Sequence, residues 1–199
     1  MEKPLRILIV EDNKSDVEIE KRLLRKEGIL FDDMVVDSKE EFIAALSEFI
    51  PDLILCDYSM PRFDGMRALL LRKELAPLIP FILVTGSMNE EVAVECMKAG
   101  ADDYVIKQNL IRLVPAIKAV LQNHETIRLR REAENALRLS EERFRSLYEN
   151  ATIGIYRTSP EGQILMANPS LVEMLGYGSF EELAKRNLFT EGYGENSQR

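Results

Sequence analysis

The chain is poor in cysteine, with two in 199 residues, and has no surplus of positive charge. Cys56 lies in an apolar run and Cys96 in a helical pattern. Both read as small core residues in a reducing compartment, so the cytoplasm is the expected location. The 26 Lys and Arg are outnumbered by 34 Asp and Glu, giving a net charge of −8, and no segment forms a basic stripe. Nucleic-acid binding by this chain is therefore not expected. No apolar run approaches the roughly 20 residues of a membrane span, so no membrane association is expected. The opening Met1-Glu2-Lys3-Pro4-Leu5-Arg6 leads straight into a strand pattern without secretory character. Glycine is missing where a nucleotide-binding loop would need it. The first strand pattern is followed by Glu11-Asp12-Asn13, which argues against a mononucleotide-binding domain.

Short apolar runs bounded by turn signals are present and recur. Leu5–Val10, Leu53–Cys56, Phe81–Val84 and Tyr104–Ile106 read as strands buried on both faces, and a shorter acidic strand is expected near Asp32–Val36. Helical patterns lie between them. One runs from about Lys14 to Glu27 with Gly28 as its stop signal. A second runs from Lys39 to Phe49, with Ser38 and Glu41 as a capping box and Pro51 beyond it. A third covers Gly65–Leu75, and a fourth starts after the N-cap Asn89 and ends at Gly100. Such alternation predicts an α/β fold, a parallel sheet with helices on both faces.

Polar residues stand at the C-terminal ends of these strands, where open α/β sheets carry their ligand sites. Glu11 and Asp12 follow the first strand and Asp57 the third, while Thr85 and Lys107 follow the fourth and fifth. The carboxylates would hold a hard divalent cation, Mg2+, through Asp12 and Asp57, with Glu11 directly or through water. Asp57 would be the nucleophile. Lys107 and Thr85 would neutralise and orient phosphoryl oxygens, and little else in phosphoryl transfer is open to a protein.

This set resembles the receiver domain of two-component response regulators over about residues 4–121. It carries Glu11-Asp12, "DYSMP.FDG" from Asp57, "VTGS" around Thr85 and "GADDYVIK" ending at Lys107. The resemblance implies a doubly wound, flavodoxin-like five-stranded parallel sheet of order 2-1-3-4-5. It also implies a backbone carbonyl of Ser59 as a further metal ligand and Tyr104 as the aromatic switch coupled to Thr85. The expected activity is acceptance of a phosphoryl group from a histidine kinase or histidine phosphotransfer protein, followed by a change in the face formed by helix four, strand five and helix five. The chain is not expected to be an enzyme beyond its own phosphorylation. One departure is Gln108, where many members of the family have proline after the lysine.

From Leu110 onward the pattern changes. Residues 116–150 contain neither Gly nor Pro, and six arginines are balanced by six glutamates from residue 125 to residue 149. Leu113, Ile117, Val120, His124 and Ile127 follow a 4-3-4-3 spacing, and so do Ala133, Leu137, Ser140, Phe144 and Leu147. These read as one long helix with an interrupted coiled-coil seam, expected to pair two chains in parallel. His124-Glu125 lacks the Arg-Thr-Pro of a kinase phospho-acceptor box, so His124 is expected in the seam or in solvent. From Ser140 the chain resembles the opening half of a PAS sensor domain, with a helix "EERFRSLYENA", two strands around Ser159-Pro160-Glu161-Gly162 and a helix "NPSLVEMLGY". Only 49 residues follow Asn150, so this α+β segment is expected to be partial.

The expected organisation is a receiver at 1–121, a helical linker at 122–150 and a partial PAS domain at 151–199. Two alternatives stand beside the receiver reading. One is a fragment of a hybrid sensor histidine kinase, or of a cyclic-dinucleotide enzyme, whose PAS module is the main sensor. The other is a haloacid-dehalogenase-like phosphatase, which would want a second aspartate where Ser59 stands.

Overall fold

A computed structural model of the chain describes residues 3–86 and 90–187. The expected N-cap Asn89 lies outside the described residues. The chain divides into two compact units at Leu129/Arg130.

In the first unit five parallel strands form one sheet of order β2-β1-β3-β4-β5. They are β1 (Leu5–Val10), β2 (Phe31–Val36), β3 (Leu53–Asp57), β4 (Phe81–Thr85) and β5 (Asp103–Ile106). The order matches the sequence expectation, and β2 begins one residue earlier than its pattern indicated. The four connecting helices are α1 (Lys14–Lys26), α2 (Lys39–Glu48), α3 (Gly65–Leu75) and α4 (Glu90–Ala99).

Period-two alternation divides the apolar residues of each strand between two cores. Leu8, Val10, Ile54, Cys56, Phe81 and Leu83 pack on one face with Phe42 of α2, Leu69 of α3 and Cys96 of α4. Ile7, Ile9, Leu53, Leu55, Ile82 and Val84 pack on the other with Val17 and Leu24 of α1 and with Leu113, Ile117 and Val120. Each such aliphatic side chain, fully withdrawn from water, contributes about 1.5–3 kcal/mol before the opposing chain entropy is counted. Both cysteines are buried and unpaired. Ser38 caps α2 as expected, and Asn13 and Asp64, not singled out in the sequence, cap α1 and α3 through their side chains. Gly28 and Gly100 take positive φ, 74° and 114°, just after α1 and α4.

After β5 a 3-10 helix (Lys107–Arg112) leads into α5 (Leu113–Asn150), one helix of 38 residues. Asn109 interrupts the 3-10 stretch with φ −129° and ψ 48°. Gln108, standing where proline was the family's habit, donates from Nε2 to the carbonyl oxygen of Gly86.

Two readings of α5 need correction. Leu113, Ile117 and Val120 do not belong to an intermolecular seam, because all three are buried in the first unit's own core. His124 is neither a seam residue nor free in solvent. Its Nε2 lies 2.6 Å from Asp102 Oδ1 and its Nδ1 lies 3.2 Å from the carbonyl oxygen of Leu78. The break in the apolar register therefore marks where α5 stops packing on the sheet. From Glu125 to Leu147 the residues of α5 are exposed.

In the second unit β6 (Tyr156–Thr158) and β7 (Ile164–Ala167) form an antiparallel pair, followed by α6 (Pro169–Met174) and α7 (Phe180–Leu183). Ile164, Ala167, Val172 and Leu183 form a small core. Asn168 is fully buried and organises the segment. Its side chain accepts from the backbone N–H groups of Ile155 and Leu171, at 2.8 and 3.1 Å, and donates to the carbonyls of Ile153 and Tyr148.

Candidate phosphoryl-acceptor site

The site lies at the C-terminal edge of the sheet because parallel strands deliver their end residues to one side. Glu11 follows β1 and is buried, and Asp12 beside it is exposed. Asp57 closes β3 with 8% exposure. Thr85 closes β4, is fully buried and is in register with Ile106, so it stands beside the residue that precedes Lys107.

Lys107 is the hub of this edge. Its Nζ donates to Asp16 Oδ2 at 2.6 Å, Glu11 Oε2 at 2.7 Å and Asp57 Oδ2 at 3.0 Å. Burial works against the ammonium charge, but the hydrogen bonds it donates to Asp16, Glu11 and Asp57 outweigh that and raise the Lys107 pKa above its ordinary value. Glu11 is shifted upward, first by burial and further by the nearby Asp57 charge, against the opposing bonds from Lys107 and the Asn13 N–H.

Glu11, Asp12 and Asp57 each bring one carboxylate oxygen to within 4.8 Å of the others. Hard oxygen donors in that number suit Mg2+, which keeps several waters and takes few protein ligands. Ser59 is exposed, and its backbone N–H donates to Asp57 Oδ1 at 3.2 Å. Tyr104 is half-buried in β5. It lines an open cavity of about 520 Å³ with Ala93, Val94, Met97 and Lys98 of α4, and it is paired in register with Leu83.

Three residues were not picked out from the sequence. Gly65, at the start of α3, donates to the carbonyl of Tyr58, and a Cβ there would come within 2.8 Å of the Asp57 carbonyl oxygen and of Tyr58 Cα. Only glycine permits that approach of α3 to the loop after β3. Asp16 joins the site through Lys107. Glu20 is 2% exposed with Oε2 lacking a hydrogen-bond partner, and its pKa is raised to about 8, mainly by burial and then by the charge of Glu11. A signal for the last two was present, because Asp16 and Glu20 stand four residues apart and so share a face of α1.

Comparison with known proteins agrees with this arrangement. The response regulator receiver domain profile matches residues 7–118, and a PAS domain profile matches residues 142–197. The chain is 40% identical over 101 residues to the transcriptional regulatory protein ZraR of Salmonella typhimurium, covering 51% of this chain and 22% of that protein. It is 33% identical over 122 residues to the DNA-binding response regulator MtrA of Mycolicibacterium smegmatis, covering 60% of this chain and 52% of that protein. It thus spans about half or less of these relatives' length. Among solved structures, a CheY-like response regulator receiver domain protein from Methanospirillum hungatei superposes with TM-score 0.56 at 30% identity. That match covers 62% of this chain and 98% of the other. The receiver domain of a signal transduction histidine kinase from Syntrophus aciditrophicus gives 0.52 at 31% identity, over 59% and 90% of the two chains. The profile match covers more than half of the sequence and coincides with the parallel sheet and its acidic edge, so the chain belongs to the response regulator receiver family.

Proposed function

We propose that Asp57 is the phospho-acceptor of a two-component phosphorelay. The observation that carries this reading is the convergence of Asp57 and Glu11 on the Lys107 ammonium at one edge of the sheet. In the transfer an Asp57 carboxylate oxygen forms a bond to phosphorus. The bond from phosphorus to the donor's imidazole nitrogen breaks, and the imidazole keeps that electron pair and takes up a proton. Glu11, Asp12 and Asp57, with the backbone carbonyl of Ser59, would hold Mg2+. The bound cation supplies charge neutralisation for the phosphoryl oxygens. Lys107 donates to one phosphoryl oxygen and Thr85 gives its hydroxyl to another, positioning the group for in-line attack. The donor is a histidine kinase or histidine phosphotransfer protein. No part of this chemistry turns over a substrate, so the chain acts as a signalling module and not as an enzyme.

The output is a change on the face of α4, β5 and α5. Tyr104, whose ring borders a cavity against α4, is the switch that answers movement of Thr85. Residues 1–121 form the receiver and residues 122–150 the helical linker. Residues 151–199 form the PAS part to which the signal is relayed. The exposed side chains of Leu137, Phe144 and Leu147 support pairing of two chains through the linker, with one face of the helix supplying the contact.

Incubation with Mg2+ and acetyl phosphate tests the central claim. One phosphoryl group should appear by mass spectrometry, be released by hydroxylamine and be absent from Asp57→Asn. An adduct that persists in Asp57→Asn, or none in the wild type, overturns it.

A further inference from the structure

One carboxylate at the site belongs neither to the set that would hold the cation nor to the nucleophile. Asp16, in the first turn of α1, accepts from Lys107 Nζ at 2.6 Å, nearer than Glu11 at 2.7 Å or Asp57 at 3.0 Å. An ammonium has three N–H bonds, and these three carboxylates occupy all of them.

The three cannot keep their claims through phosphoryl transfer. The Glu11 and Asp57 oxygens converge with Asp12 on the cation position. Once phosphorylated, Asp57 has lost the charge that made it a strong acceptor. Asp16 is outside that converging set, and its bond to Lys107 is compatible with every stage. Lysine carries its charge on a flexible four-carbon stem, so an ammonium without a fixed partner samples many positions. The Lys107 side chain retains 18% exposure, which leaves it room to do so.

We infer that Asp16 is a positioning residue for phosphoryl transfer, holding the Lys107 ammonium from the α1 side so that its other N–H bonds address the phosphoryl oxygens. The inference rests on the reading of Asp57 as phospho-acceptor and adds a residue to it. Loss of one charge-assisted bond at the positioning lysine should slow transfer about tenfold.

Phosphorylation of the full chain by acetyl phosphate at saturating Mg2+ tests this in wild type, Asp16→Asn, Asp16→Ala, Lys107→Ala and the Asp16→Ala/Lys107→Ala pair. Asp16→Ala should lower the maximal rate with little change in the acetyl phosphate concentration for half-maximal rate. Asp16→Asn, which keeps an acceptor oxygen, should recover part of the loss. Lys107→Ala and the double variant should react at the same rate, because Asp16 acts only through Lys107. In metal-free protein the Lys107 ammonium should give a slowly exchanging 15N-detected signal in the wild type that is lost in Asp16→Ala. A wild-type rate in Asp16→Ala overturns the inference. So does an Asp16→Ala loss that persists undiminished in the Lys107→Ala background, an effect confined to the Mg2+ requirement, or an unchanged ammonium signal. If Asp16→Ala does not fold, Asp16→Asn carries the comparison on the same criteria. A wild type that takes no phosphoryl group removes the phospho-acceptor reading itself. A phosphorylated wild type with an indifferent Asp16 removes this inference alone.

Discussion

At the scale of single residues, the acidic edge gathers more negative charge around Lys107 than that one ammonium can balance. Glu11, Asp16 and Asp57 share the Lys107 ammonium, and Asp12 adds a fourth carboxylate beside them. Without a divalent cation, Asp57→Asn should therefore match or exceed the wild type in stability, by about 1 kcal/mol in urea titrations with EDTA. Clear destabilisation there would make Asp57 a structural residue. Glu20 leads to a pH prediction. Its folded pKa of about 8 stands above the ordinary 4.5, so the buried carboxyl stays neutral while the unfolded one ionises. Its contribution to stability is fully present below about pH 4.5, declines as pH rises and is lost above about pH 8. Glu20→Gln keeps the shape and removes the ionisation. The variant should gain on the wild type by a few kcal/mol between pH 5 and pH 8, measured by chemical denaturation. A difference that does not change with pH would show that Glu20 does not titrate in this window.

At the scale of elements, the site depends on how closely α3 approaches the loop after β3. The Gly65 N–H bonds to the Tyr58 carbonyl, and Asp64 caps the helix by accepting from the Arg67 N–H at 2.8 Å. A Cβ at Gly65 would press on backbone atoms, which cannot rotate away. Gly65→Ala should cost about 1–3 kcal/mol and slow phosphorylation by displacing Asp57. Stability and rate both at wild-type values would mean that the approach is not needed. Arg72 and Asp102 form a second fixed point at the opposite edge of the sheet. Asp102 Oδ2 accepts from Arg72 Nη2 at 2.9 Å and from the Phe81 N–H at 2.8 Å, while its Oδ1 meets His124. The root of α5 is thereby tied to the ends of α3 and β4 by polar contacts as well as by Ile117 and Val120.

At the scale of the whole molecule, two cores on either side of one sheet stabilise the receiver, and α5 contributes to one of them before it runs on. No described helix is long and apolar enough to cross a membrane. The exposed stretch of α5 is laced with charge pairs such as Arg130–Glu134 and Arg138–Glu142, which water screens and which add little to stability. Leu137, Phe144 and Leu147, 61%, 60% and 73% exposed, have apolar area to gain from a partner helix. Sedimentation of the full chain should show a dimer at high micromolar concentration, and a version ending at Gln122 should be monomeric. If the full chain is also monomeric, with and without beryllofluoride, pairing through the linker fails.

The α/β alternation, the Ser38 cap, the stop signals at Gly28 and Gly100 and the polar strand ends were legible in the sequence because they rest on local signals. Apolar runs ended by Asp57 or Thr85, and caps such as Ser38, act within a few residues of themselves. Parallel pairing then sends every strand end to the same edge, so Glu11, Asp57 and Lys107 could be placed together without coordinates. What only the tertiary structure decided involves choice among equivalent surfaces. Leu113, Ile117 and Val120 carry the same spacing whether they face a second helix or the sheet, and burial against Ile7, Ile9 and Val84 settled it. His124 had no legible partner because Asp102 lies 22 residues away and reaches it only through the turn before β5. Asp16 and Glu20 were visible as an acidic stripe on α1, but a charged helix face ordinarily points to water. The sheet edge and Lys107, 91 residues beyond Asp16, turned that face inward.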